Sequence, residues 1–384
     1  MKAKCLTCSV LLIFTAAMMS CQSQESDWKG IVEVSDGIKI VSNPLEPIYE
    51  GDILSFEEDL VIEGSEEDEA QMFQNIVTFD VDPEGNIYVL DEQACNVKVF
   101  DPSGSHLRTL GQKGQGPGEF AIPIALVCTP QGELLVNDMG NRKLVFLSPT
   151  GDFIKQISIA DKFLFIGPRI LADDRMIASF IKPAEEPKSE LHIFNSDLHS
   201  LDVVASLKVG KPPKLNYFVG MQLTSLLWNV TYAGEIVWGD FLQPDYELFV
   251  YSSEGDHSRT ISRDLDPLPI TAVEQKELLD KMFGNNPAAQ NQWEIEFPEN
   301  YPPFRGISFD DEGRLYIKTY DKTEYEGTAY YDIFDADGRY IAKILFEFPP
   351  MIMKNGFLYT IEENADGFKL VKRYKMVWEL QPVE

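Results

Sequence analysis

Two stretches, IVTFDVDPEGNIYVLD (76–91) and PIALVCTPQGELLVND (123–138), superpose without a gap when one is slid by 47 residues. Gly85 then falls on Gly132, and Asp91 on Asp138. Each stretch reads as a strand, a glycine turn and a second strand ending in Asp. A loop follows, then a third strand (VKVF or LVFL), a second glycine turn and a last strand. In that second turn Gly104 of DPSG falls on Gly151 of SPTG, at the same spacing. The glycines supply the positive φ that tight hairpins require. Four short antiparallel strands in each roughly 40–50 residues are the pattern of a propeller blade.

Looser copies continue along the chain. ILADDRMIASF, ELHIFNSD and SLDVVASLKV form a third unit, about 166–209. WNVTYAGEIVWGD, YELFVYSSEG and HSRTISRDL form a fourth, 226–270. FRGISFDDEGRLYIKTY, AYYDIFDADG and RYIAKILFEF form a fifth, 303–348. The sixth, 349–380, has only three strands, and one spare strand, DILSFEEDLVIEG (52–64), precedes the first unit. If the spare strand completes the last blade, the ring closes and no free sheet edge remains at the seam. The expected fold is all-β: a six-bladed propeller over residues 52–384, closed by an N-terminal strand, with a helical insert at 271–300. In that insert Thr271-Ala-Val-Glu274 is a capping box and Gly284 a helix stop, and Val273, Leu279, Met282 and Phe283 are expected to form the apolar stripe. The insert reads equally as a lid, a partner surface or a packing element.

The N-terminus has a different character. Lys2 and Lys4 precede the apolar run SVLLIFTAAMM (9–19). This run is too short to span a bilayer and fits a secretory signal over 1–20. Met18-Met19-Ser20-Cys21 resembles the lipobox of bacterial lipoproteins, with Met where Leu is usual. The resemblance implies cleavage before Cys21 and lipid on its thiol, with 21–51 as tether and lead-in. The rest would then be held on a membrane outside the cytoplasm. Cys5 and Cys8 leave with the signal, so Cys95 and Cys128 remain and no disulfide framework is possible.

Composition narrows the function. The 384 residues hold 33 Lys plus Arg against 62 Asp plus Glu, a net charge of −29. Such a surface repels phosphate backbones and argues against nucleic acid as a partner. Aromatic residues make up 11% of the chain, which favours strands.

Blade one, DVDPEGNIYVLD…NVKVFDPSG followed by GQKGQGPGEF, resembles the six-bladed β-propeller lipoproteins of Bacteroidetes-like bacteria, relatives of NHL-repeat and TolB-like propellers. The resemblance implies a scaffold and leaves activity open.

Candidate sites are sparse. GQKGQGPG (111–118) lacks the Lys-Ser/Thr and the following helix of a phosphate loop and reads as a connector. Asp91 and Asp138, at strand ends on one rim, are weak metal candidates. They fit better as acceptors for backbone N–H groups in the next turn. His106, His192, His199 and His257 fall on outer strands or turns, so neither a histidine metal site nor a Ser-His-Asp triad is expected. Arg169 (GPRILA) and Arg305 (PFRGIS) are placed at the starts of inner strands, where each would pair with an acidic side chain and lock neighbouring blades, or the two guanidinium groups would clamp a carboxylate or phosphate. Trp228 is placed to stack on a sugar ring or to fill an interblade core. The inner strands IVTFDV, IPIALV and MIMKN read as mostly apolar. The leading expectation is therefore a binding module for a protein, peptide or glycan, without catalysis, cofactor or metal. A lyase or hydrolase working in the channel and a structural part of an envelope complex are the alternatives.

Overall fold

The computed structural model describes residues 28–64, 72–129, 131–162, 165–171, 173–182, 187–208, 214–216, 226–284, 294–349 and 351–379. The signal segment 1–20 and Cys21 lie outside these described residues.

Six antiparallel sheets surround one axis, and the chain is a six-bladed β-propeller. Blade 1 runs Ile76–Val81, Ile87–Asp91, Asn96–Phe100 and His106–Leu110 from the axis outward. Blade 2 is Pro123–Cys128, Leu134–Asp138, Lys143–Leu147 and Phe153–Ser158. Blade 3 begins at Ile166–Ile170 and ends at Ser200–Lys208; blade 4 begins at Leu226–Val230 and ends at His257–Arg263. Blade 5 begins at Gly306–Phe309 and ends at Tyr340–Phe346. Blade 6 takes Ile352–Lys354, Phe357–Glu363 and Lys369–Trp378 from the C-terminal end, and its fourth strand is Leu54–Ile62. That strand pairs antiparallel with Lys369–Trp378, from Leu54 opposite Trp378 to Ile62 opposite Val371, and closes the ring.

The second strands show why the sequence folds this way. Ile87–Asp91 and Leu134–Asp138 are buried at every position. Side chains alternate across a strand, so an unbroken apolar run must be covered on both faces. Tyr88 and Leu90 pack toward blade 2, whereas Ile87 and Val89 pack toward blade 6. Each of the six blade interfaces holds its own apolar cluster. The core is thus a ring of interfaces around an axis, not a single centre.

The turns between third and fourth strands repeat one device. Asp101, Ser148, Asn195, Ser252 and Asp335 each accept a backbone N–H from the residue four further on. The residue three further on has positive φ: Gly104, Gly151, Leu198, Gly255 and Gly338. A Cβ on Gly104 would sit 2.7 Å from Leu60 Cδ1 in the closing strand, so glycine there also answers a close approach.

Part of the lead-in is folded as well. Ile31–Ser35 and Ile38–Asn43 form a hairpin, and the second of these strands pairs parallel with His257–Arg263, making blade 4 six-stranded. The helix spans Ala272–Phe283 with Thr271 as N-cap, the capping box present and Gly284 as C-cap. Its packing stripe differs from the expected one: Leu278 and Met282 lie against the blade 4/5 cluster, while Val273 is 68% exposed. After the helix, Glu294–Glu296 pairs parallel with Lys214–Asn216 from the connection between blades 3 and 4. Both segments join a fourth strand to the next inner strand. They therefore lie on the face where the inner strands start.

Candidate functional site

The inner strands end on the opposite face, around a cavity of about 570 Å³ lined by residues of all six blades. The position of each lining residue follows from the first hairpin of its blade. In blades 1 to 5 the turn opens at Asp82, Thr129, Leu171, Thr231 and Asp310, each donating its N–H to the carbonyl four residues on. Two residues earlier stand Asp80, Val127, Arg169, Asn229 and Ser308, opposite Tyr88, Leu135, Ile177, Val237 and Tyr316 on the second strands. Ile352, opposite Tyr359, holds this place in blade 6. One ring of six equivalent positions therefore carries a carboxylate, a guanidinium, an amide and a hydroxyl.

Asp80 is fixed by the main chain. Its Oδ1 accepts the N–H of Val81 at 2.8 Å and its Oδ2 that of Cys128, in blade 2, at 2.7 Å. Burial raises its carboxyl above the usual range, opposed by these two bonds and then by the charges of Arg169 and Lys354. Asn229 repeats the arrangement in blade 4, with Oδ1 on the N–H of Val230 and Nδ2 donating to Ile307 O in blade 5.

Arg169 donates from Nη1 to Pro168 O at 3.1 Å. Among the described residues no carboxylate lies within ion-pair distance of it. Burial lowers its pKa, opposed by the Asp80 charge. Lys354, in blade 6 and thus across the ring from Arg169, donates to Val81 O at 2.9 Å and stands 5.3 Å from the centre of the Tyr232 ring. Tyr232 in turn meets Phe309 edge-on at 5.1 Å. Its ring, 46% exposed, leans from blade 4 toward blades 5 and 6 at the cavity mouth. Burial, and then the Asp80 and Asp82 charges, push the Cys128 thiol well above its ordinary pKa, so it stays protonated and is no nucleophile. Cys128 and Cys95 are both free thiols.

The expected candidates separate. Arg169 lines the cavity, but as the fourth residue of its strand, because that strand already begins at Ile166. Arg305 immediately precedes its strand and lies toward the other end of the axis, its guanidinium 5.1 Å from the Tyr320 ring. The two arginines are not brought together as a clamp. Trp228 pairs across strands with Trp238, and both pack against the blade 3/4 cluster, away from the cavity lining.

Asp91 and Asp138 are fully buried and hold main chain. Asp91 accepts N–H groups from Gln74, Asn75 and Ala94; Asp138 accepts those of Ala121 and Ile122 and the side-chain amide of Asn141. Among the described residues no group of three His, Cys, Asp or Glu is placed to hold a metal ion. The GQKGQGPG connector folds on itself: Glu119 takes the N–H of Gly116 and the amide of Gln112.

The inner strands proved less apolar than their sequence suggested. Asp80, Arg169 and Lys354 share one cavity, and the sequence reading left out Asp80, Lys354, Asn229 and Tyr232. The signal was available: counting back two residues from each first-hairpin turn aligns Asp80, Arg169, Asn229 and Ser308.

A family model agrees on the architecture. The DUF5128 family, described as a 6-bladed beta-propeller, matches residues 60–175. The fold is shared with an exported protein of Bacteroides fragilis at a TM-score of 0.53 and 11% identity, covering 88% of this chain and 99% of that one. A DUF4221 member from Bacteroides vulgatus gives 0.49 and 12%, covering 85% and 99%. Human E3 ubiquitin-protein ligase TRIM32 is 43% identical over 51 residues, 13% of this chain and 8% of that protein's length. At 11% identity the Bacteroides fragilis structure speaks for the fold alone.

Proposed function

We propose that this propeller is a non-catalytic binding module, held outside the cytoplasm by lipid on Cys21, that receives its ligand in the central cavity. The observation that carries the reading is the convergence of Arg169, Lys354, Asp80 and Asn229 on one cavity of about 570 Å³ with mixed polar and apolar walls. Ligand sites are typically concave, mostly apolar and furnished with a few placed polar groups. The volume suits a small molecule or the end of a peptide or glycan chain. Asp80 is the one carboxylate of the cavity's charged trio, and its two oxygens hold main chain, which favours binding over acid–base chemistry. The signal-like N-terminus and the lipobox resemblance support the location.

Two experiments test this reading. Cys21→Ser should release the full chain from membranes into the soluble fraction; retention on the membrane would refute the anchor. A ligand found by screening small molecules and peptides against the full chain should lose binding when Ser308→Trp fills the cavity. Undiminished binding would place the site elsewhere. A channel lyase or hydrolase is the second reading, favoured by the raised pKa of Asp80. It requires turnover that Asp80→Asn abolishes.

A further inference from the structure

We propose that the central cavity is built for an organic carboxylate joined to an apolar body, with Arg169 as the residue that takes the anion. The inference rests on the binding reading above and names its ligand class.

A guanidinium presents planar, paired N–H donors matched to a carboxylate, and it is costly to bury without an acceptor. Arg169 has one hydrogen bond, to Pro168 O, and no carboxylate at ion-pair distance among the described residues. The ring's carboxylate, Asp80, lies beyond Val127 of blade 2 and is turned to the main chain of Val81 and Cys128 by bonds of 2.8 and 2.7 Å. Asp80 is therefore held from closing on the arginine as an ordinary salt bridge.

Charge points the same way. The chain has 62 acidic and 33 basic residues. Its cavity reverses that balance, with Arg169 and Lys354 against Asp80. A locally positive, low-dielectric recess in an acidic protein concentrates the field on an entering anion. Around the cations the walls are mixed: Leu126, Ile170, Val230, Phe309 and Ile352 supply the apolar part, and Thr78, Thr129, Thr231 and Ser308 the polar part. An inorganic anion would leave the apolar part unused, whereas an apolar body attached to the carboxylate covers it.

The free acid and the C-terminal residue of a peptide share this chemistry, and the test separates them. The full-length chain is titrated with 3-phenylpropionate and with N-acetylphenylalanine, each beside its neutral primary amide, and with phenethylamine as the cationic counterpart. Binding is read by calorimetry or saturation-transfer NMR. At least one acid should bind about tenfold or more tightly than its amide, because only the acid forms a charge-assisted hydrogen bond with the guanidinium. Arg169→Gln should bring acid and amide within about twofold of each other, and Arg305→Gln should leave the difference intact. Preference for 3-phenylpropionate points to a free acid, and preference for N-acetylphenylalanine to a peptide end. Equal binding of acid and amide, or binding of phenethylamine alone, overturns the carboxylate assignment and leaves the cavity as a binding site. An acid preference that survives Arg169→Gln overturns the role of Arg169. No binding of any probe at a few millimolar overturns both the assignment and the cavity reading. Circular dichroism of Arg169→Gln checks that its ring is intact.

Discussion

Arg169 and Arg263 are both desolvated arginines on strands of this ring, and their surroundings are opposite. Arg263 ends the fourth strand of blade 4 and is closed in by partners, with its Nε left without an acceptor among the described residues. Tyr246 and Tyr340 flank it with ring centres at 5.0 and 4.8 Å. Asp332, fully buried, faces it at 3.4 Å, and Leu45 O accepts from Nη1 at 3.3 Å. Tyr340 also donates its hydroxyl to Asp332. This is a cation closed into the blade 4/5 interface. Arg169 opens on a cavity with a single carbonyl partner. The difference separates an arginine used for assembly from one available to a ligand. It is drawn by partners, since burial alone makes the two look alike.

Breaking the closed pair should have the largest effect. Arg263→Met strands Asp332 in the interface with the Tyr340 hydroxyl and Lys343, 4.0 Å away, to offset it. A loss of about 3–5 kcal/mol is expected in denaturant unfolding. A loss below about 1 kcal/mol would remove the contrast. Lys354→Met comes next: it deletes the charged bond to Val81 O and the contact with Tyr232, and should cost about 1–2 kcal/mol. Thr271→Ala, in the helix on the other face, should cost about 1 kcal/mol and leave cavity binding unchanged. Its partner Glu274 is held down to about 2, first by Lys322 and then by Thr271. The stabilisation from ionised Glu274 should therefore be complete above pH 4.5 and fade toward about 2.

The smallest effect concerns Asp80. Its folded pKa is raised, so its contribution is fully present below the unfolded value of 3.8 and falls as pH rises through the folded value. The stability of wild type relative to Asp80→Asn should thus decline from pH 3.5 upward, measured by melts across pH. A rise over the same window would show that Arg169 and Lys354 dominate the site and that Asp80 is a paired ion.

The fold was legible because a propeller repeats its local chemistry. The 47-residue register of 76–91 on 123–138, the glycine turns and the spare strand 52–64 carried the blades and their closure. The hairpin at Ile31–Asn43 carried a signal, Asp36-Gly37 between alternating apolar residues, but its docking on blade 4 did not, because the partner strand lies more than 200 residues away and parallel pairing leaves no turn to read. Arg169 could be chosen by residue type. Its separation from Arg305 depended on where each strand begins, and a strand starting at Ile166 moves Arg169 toward the cavity. Asp80 was hidden in the run IVTFDV, where one carboxylate among apolar residues resembles a turn residue come early.

The central claim is that Arg169 serves a ligand and Arg263 serves the fold. Paired denaturant melts of Arg169→Gln and Arg263→Met on the full chain test it most directly. The account predicts that Arg169→Gln keeps the wild-type midpoint, to within about 0.5 kcal/mol or slightly above it, while Arg263→Met loses several. An equally large loss in Arg169→Gln would make both arginines structural and contradict the account.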